Sequence, residues 1–408
     1  MKFEMGLFEH PYVDPRMARK IVRDAASVAL SRKVAQESII LLKNEQSVLP
    51  LKKTIGSIAV IGPNADNIYN QLGDYTAPQD PKAIVTVLKG ITAKLPGAKI
   101  NYVKGVAIRD TTDVHIAEAV AAAKKSDVAV VVIGGSSARD FKTEYISTGA
   151  AIVGKAGAEV SDMEAGEGYD RETLDLMGKQ LELLQAVVKT GKPVVVVFIG
   201  GRPLNLNWPS EHVAAMLSAW YPGQEGGDAI ADVLFGDYNP AGRLPISIPR
   251  SVGQLPVYYN YQNSSKQNYV EGPASPLYAF GYGLSYSKFV YSDLDATVNA
   301  GNELTVNVQV KVTNNSALDG DEVVQLYLRD NVSSVVTPIK TLKAFSRVKI
   351  KANETKTVSF TLHGKDLSLL NQQMQRVVEA GDFTIMVGAG SSDVRLQKKI
   401  NVNQNYKL

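Results

Sequence analysis

Three apolar runs, each stopped by glycine, most constrain what this 408-residue chain can fold into. Ser57-Ile58-Ala59-Val60-Ile61 ends at Gly62-Pro63, Val128–Ile133 ends at Gly134-Gly135, and Val194–Ile199 ends at Gly200-Gly201. None alternates with polar residues, so each predicts a strand buried on both faces, as in parallel sheets covered by helices. Helical patterns lie between them. Ile116, Ala119 and Val120 precede the second run, and Leu181, Leu184, Val187 and Val188 precede the third. Lys124-Lys125 and Lys189-Thr190-Gly191 supply the helix ends. Right-handed strand–helix–strand units then predict a three-layer α/β sandwich with a largely parallel sheet, from about residue 55 to 250. A complete eight-fold barrel, which needs about 250 residues of its own, has no room here.

The flanks read differently. Residues 251–295 carry Pro256, Pro273 and Pro276 and eight tyrosines from Tyr258 to Tyr291. That is too aromatic for a flexible linker and predicts an ordered strap held by its rings. Across residues 296–408 the period becomes two. Leu304, Val306, Val308, Val310 and Val312 alternate with polar residues, and further short runs follow between turns. This predicts an all-β sandwich of fibronectin type. Residues 1–50 fit neither unit. Arg23–Leu42 reads as a helix closed by Leu49-Pro50-Leu51, after a proline-bounded extended stretch from Leu7 to Pro15.

Composition removes several functions. Lys and Arg number 44 against 41 Asp and Glu, a net charge of +3, too balanced for an electrostatic nucleic-acid partner. No apolar run reaches the length of a membrane span, and the first residues lack the apolar stretch of a signal peptide. With no Cys there is no thiolate nucleophile or Cys-held metal. His10, His115, His212 and His363 are too far apart in sequence for a helical metal pair, so neither metal nor cofactor is expected. The glycine stretches give neither G-x-G-x-x-G nor a phosphate-loop spacing, and no G-x-S-x-G turn occurs.

Chemistry concentrates in Ser161-Asp162-Met163-Glu164-Ala165-Gly166-Glu167-Gly168-Tyr169-Asp170-Arg171, inside a long irregular stretch from 134 to 173. Stretches of that length in compact domains are usually functional or disordered. Glu167 sits between two glycines, where a tight turn can hold it and Tyr169, Asp170 and Arg171 can buttress it. A carboxyl held against an aromatic ring and partly desolvated gains the raised pKa a general acid needs. The alternative is a solvated acidic loop beside a helix N-terminus.

Longer motifs surround this stretch. They include Gly6–Asp14, Ala35–Asn44, Val60–Asp66, Gly166–Arg171, Trp220–Gly227, Gly236–Pro245 and Tyr278–Tyr286. With them, nearly the whole chain resembles the C-terminal part of glycoside hydrolase family 3, the β-glucosidase and β-xylosidase family. The resemblance implies an α/β sandwich followed by a fibronectin type III-like domain. It also implies a retaining, exo-acting β-glycosidase of β-glucosidase type, a β-linked oligosaccharide or glucoside as substrate, and a periplasmic or secreted setting. Glu167 matches the acid/base, with Glu164 its nearest competitor and Arg171 a supporting residue. Tyr75, in Gly73-Asp74-Tyr75, resembles the aromatic of the outer sugar subsite, the alternative being an exposed loop tyrosine.

One departure is decisive for the chemistry. In the family the nucleophilic Asp lies on an N-terminal barrel, in a Ser-Asp-Trp-type motif. The chain reads as starting in the last turns of that barrel. Its Ser-Asp pairs, at Asp127, Asp162, Asp293 and Asp393, are not followed by Trp, so no nucleophile is expected. Retaining hydrolysis needs two carboxyls about 5–5.5 Å apart. The expectation is a half-site, inactive alone, whose partner is the barrel. A non-catalytic carbohydrate-binding or oligomerisation module is the competing reading, with self-association through the apolar surface a barrel would cover.

Overall fold

The computed structural model describes the chain except residues 140–143, 148–150, 153–159, 169, 263–268 and 302; for 19, 145 and 151 only the backbone is described. The strands of the first unit are β1 (Ile40–Asn44), β2 (Ser57–Ile61), β3 (Lys99–Val103), β4 (Val128–Gly134), a short hairpin of β5 (Glu144–Tyr145) and β6 (Ala151–Ile152), β7 (Val194–Ile199) and β8 (Ala215–Trp220). Six of them form one sheet in the order β1-β8-β7-β4-β2-β3. All neighbours are parallel except β1, which runs antiparallel to β8.

Successive residues of each strand point to opposite faces, and both faces are apolar. Val60, Val130, Val132 and Val197 face a core shared with α2 (Ala25–Ser38), α4 (Val87–Lys94) and α8 (Gly226–Leu234). Ile61, Val131, Ile133 and Val196 face a second core shared with α5 (Ile116–Lys124) and α6 (Gln180–Val188). This double burial is why the runs lack alternation, and it makes three layers as expected.

The glycines that end the runs are packing devices. Gly62 has φ +122°, and a Cβ there would lie 2.0 Å from the Val132 carbonyl oxygen. At Gly134, φ +139°, a Cβ would lie 2.0 Å from the Ile199 oxygen. Adjacent strand ends therefore close to backbone contact, which any side chain would prevent. Across these ends Asn64, fully buried, donates from Nδ2 to the carbonyls of Gly135 and Ile199 at 3.3 Å each.

Two expectations change. The helix read through Leu42 stops at Ser38, where the N-terminal helical pair, α1 (Pro15–Ile21) and α2, gives way to β1. Ile40–Leu42 is buried because it forms a sheet edge, not a helix face. The sandwich also begins earlier than residue 296, since β9 spans Phe289–Ala300. Its register against β10 (Leu304–Asn314) is antiparallel from Asn314↔Phe289 to Leu304↔Ala300.

The sandwich continues with β11 (Gly320–Asp330), β12 (Thr341–Ile350), β13 (Thr355–His363), short β14 (Leu369–Leu370) and β15 (Arg376–Val378), β16 (Gly381–Gly390), β17 (Asp393–Val402) and short β18 (Tyr406–Lys407). Sheets of order β13-β10-β9 and β12-β11-β16-β17 pack face to face. Val306, Val308, Val310 and Val312 meet Val324, Leu326, Ile385 and Val387 in one core. The aromatic segment ties both units together. Tyr282 donates its hydroxyl to the Leu42 carbonyl at 3.0 Å and Tyr286 to that of Val233 at 2.7 Å, while Tyr259 meets the Tyr327 ring edge-on at 6.0 Å and accepts from the Leu342 amide at 3.2 Å.

A buried ion pair crosses the junction. Arg243 Nη2 meets Glu322 Oε2 at 2.9 Å, and Tyr291 donates to Glu322 Oε1 at 2.7 Å. Burial pushes the Glu322 carboxyl up despite the guanidinium. Breaking such a pair strands the surviving charge. Glu322→Leu should therefore cost about 3–5 kcal/mol in urea unfolding. Adding Arg243→Met should recover part of that loss; a double variant no more stable than the single one would reject this account.

Candidate functional site

The carboxyl ends of β2 and β4 open on one side of the sheet, the default ligand location in parallel α/β folds. After β2 the chain runs through Gly62–Asp66 into the short helix α3 (Ile68–Leu72) and then to Tyr75. Gly73, φ +84°, packs its backbone against the Tyr221 ring, so close that a Cβ would lie 3.0 Å from it. Tyr75 then takes a left-handed backbone, φ 57°, rare for a side chain of that size. This projects the ring outward, 72% exposed.

The Tyr75 hydroxyl donates to Glu167 Oε2 at 2.9 Å. The structure thus brings together two residues that lie 92 positions apart. Glu167 is exposed at its turn. Its bond with Tyr75, first among the causes, holds the phenol above its usual pKa. Arg139, from the segment after β4, places its guanidinium 5.7 Å from the centre of the Tyr75 ring and its Nε 3.5 Å from Asp74 Oδ1. An exposed carboxyl, an outward ring and a cation over that ring together form a polar, aromatic ledge. Sequence reasoning did not single out Arg139, although it lies within the irregular stretch from 134 to 173 marked above.

The desolvated carboxyl expected at Glu167 is instead Glu164. Its side chain is only 5% exposed and meets Arg171 Nη1 at 3.1 Å, the arginine being 6% exposed. Glu164 Oε1 lies where a Cβ on Gly135 would come within 1.8 Å, so the glycine makes its berth. Burial raises the Glu164 pKa to about 7, against the opposing pull of Arg171 and, more weakly, Arg202 and Arg109. Arg171 accordingly supports Glu164 and not Glu167 directly. Asp170 pairs with Arg202 at 3.0 Å, and Tyr169, the expected buttress, lies outside the described residues.

The four Ser-Asp aspartates are engaged elsewhere. Asp127 accepts from the Ser57 amide and hydroxyl at the amino end of the sheet, and Asp162 accepts from the Ile108 amide. Asp293 pairs with Lys311 and Asp393 with Arg395. Among the described residues no group of three or more His, Asp or Glu is placed to hold a metal ion, and no helix is long and apolar enough to cross a membrane.

The raised Glu164 pKa fixes a pH dependence. Folded, the group binds its proton more tightly than in the unfolded chain, whose value is 4.5. Its contribution is therefore fully present below pH 4.5 and is lost as pH rises through about 7. Glu164→Gln should shrink the stability difference between pH 4.5 and pH 8 by about 3 kcal/mol. Urea unfolding at the two pH values reads it, and an unchanged difference would contradict the buried titration.

Residues 39–286 match the glycosyl hydrolase family 3 C-terminal domain and residues 322–391 the fibronectin type III-like domain. A β-xylosidase of Formosa agariphila is 43% identical over 96% of this chain and 52% of its own length. A periplasmic β-glucosidase of Salmonella typhimurium is 38% identical over 97% of this chain and 53% of its own. Among solved structures, a β-glucosidase from Erythrobacter marinus superposes with a TM-score of 0.85 at 36% identity, covering 98% of this chain and 54% of that one. The chain thus spans about half the length of the relatives it matches. With one of its matches extending over the whole α/β unit and another over the sandwich that follows it, the chain belongs to glycoside hydrolase family 3.

Proposed function

We propose that this chain supplies the general acid/base, Glu167, of a retaining exo-acting β-glycosidase that releases terminal β-linked glucose from oligosaccharides. The observation that carries this reading is the Tyr75–Glu167 hydrogen bond, which holds an exposed carboxyl beside an outward aromatic ring at the carboxyl end of the sheet. In the first step Glu167 protonates the leaving glycosidic oxygen while a carboxylate from a family 3 barrel, of a longer protein or of a separate chain, attacks the anomeric carbon. In the second step Glu167 takes a proton from the water that releases the sugar. Tyr75 and Arg139 flank the leaving-group side, where Tyr75 presents its ring to the outer sugar.

A barrel partner also accounts for the N-terminal residues. Phe3, Phe8, Tyr12 and Val13 are exposed, Tyr12 at 92%, and so are Leu30 and Val34 of α2. On this reading the residues ahead of β1 are the end of the barrel domain and its connecting helix. The α/β unit carries the acid/base loop, the strap from residue 251 ends where β9 begins at Phe289, and the sandwich from there onward is the terminal domain. The relatives named above, a β-xylosidase and two β-glucosidases, support the reaction class. The periplasmic relative supports an exported setting.

The chain alone should turn over no aryl β-glucoside. With a family 3 barrel added in trans, activity should arise, and Glu167→Ala should lower it by about 10²–10⁴-fold. Activity indifferent to Glu167→Ala would overturn the assignment. Weak binding of cellobiose by calorimetry, with no activity in any combination, would favour a non-catalytic sugar-binding module, and self-association by light scattering an oligomerisation unit.

A further inference from the structure

A general acid must stay within hydrogen-bond reach of the oxygen it protonates, and errors of about 1 Å are costly. Glu167 is badly placed to do this unaided. Gly166 and Gly168 flank it, and glycine gives the backbone its greatest freedom. The Tyr75 hydroxyl that reaches it comes from a residue that is itself largely exposed. The constraint comes from beneath the turn. The Glu164 amide donates to the Ser136 carbonyl at 2.9 Å, fixing the entry to the end of β4. Arg109 Nη1 donates to the Met163 carbonyl at 2.8 Å. The Arg171 guanidinium, at the exit, returns to Glu164 and also donates to the Asp175 carbonyl.

We propose that the Glu164–Arg171 ion pair is a clasp that closes the 164–171 turn at its base and positions Glu167 for proton transfer. The inference rests on the reading of Glu167 as the acid/base and adds two positioning residues to it. Glu164 is no rival donor, because Gly135 and Arg171 enclose its carboxyl away from any sugar. Nor does the pair serve stability well. A buried ion pair is often no better than an apolar pair of the same size. Here burial outweighs the attraction of Arg171, with Arg202 and Arg109 adding only weaker ones. A costly pair that joins the two ends of a glycine-rich turn is suited to holding geometry.

Two measurements test the clasp, one of them independent of catalysis. In this chain, Glu164→Ala should speed hydrogen–deuterium exchange in the 164–171 turn by roughly tenfold while β4 stays protected. Glu164→Gln, which keeps shape and an acceptor, should give a smaller rise and covers the case in which the alanine variant fails to fold. Unchanged exchange in the turn overturns the clasp. In the barrel-complemented enzyme at pH 8, where the Glu164 carboxyl is ionised, Glu164→Gln should lower kcat/KM about 10- to 100-fold on cellobiose, whose leaving group needs a proton. On 2,4-dinitrophenyl β-glucoside, whose leaving group needs none, kcat/KM, which reads the first step alone, should hold, while kcat falls with the base-assisted second step. Equal losses of kcat/KM on both substrates would mark a merely structural role and overturn the proposal. Glu167→Ala is the control. If it lacks this leaving-group dependence, the acid/base reading itself fails and positioning for proton transfer falls with it, while the exchange data still judge the clasp on its own.

Discussion

Contact between strand ends governs the architecture. Because Gly62 and Gly134 carry no side chain, β2, β4 and β7 finish flush, backbone against backbone, and Asn64 can bridge their last carbonyls. Every loop that bears a candidate functional group leaves from this floor. Tyr75 follows the Gly62 turn, Arg139 and Glu164 rest on the Gly134-Gly135 end, and Arg202 follows Gly200-Gly201. A Cβ at either of the first two positions would push neighbouring strands apart and displace all of these groups together. The glycines that close the apolar runs are thus explained by interstrand distance.

The two neighbouring glutamates show how environment separates like groups. Glu164 and Glu167 lie within one turn, yet one is enclosed with an arginine and the other stands in solvent beside a phenol. Enclosure gives Glu164 the raised pKa but removes it from any ligand. Exposure leaves Glu167 available.

Much of the fold was legible because double burial leaves a strong signature. Runs such as Val128–Ile133 have no polar positions since both faces are covered, and Val306–Val312 alternates since only one is. Where an element is both short and buried, period fails. Ile40–Leu42 continues the apolar pattern of α2, and only pairing with β8 reveals it as a strand. The site was legible in part. The motif marked Glu167 and, more loosely, Tyr75. Which carboxyl is desolvated was not readable, because the berth that encloses Glu164 beside Arg171 is made by Gly135, at the end of β4 and outside the motif. Pairings such as Asp170 with Arg202 are likewise set by which strand ends the sheet order brings side by side.

The antiparallel strand β1 has a consequence for how the molecule meets copies of itself. Leu41 forms a bridge with Leu284, whose amide donates to the Leu41 carbonyl at 2.8 Å, so the tyrosine-rich segment covers the outer border of the sheet. That border offers no free ladder to an incoming strand. The opposite border, β3, is short and carries Lys99 at its start and Lys104 just beyond its end, charges that discourage docking of another strand. The sheet is thereby guarded at one margin by a ring-bearing segment and at the other by charge, against the ribbon-like polymerisation that an uncapped stack of valine-rich strands invites.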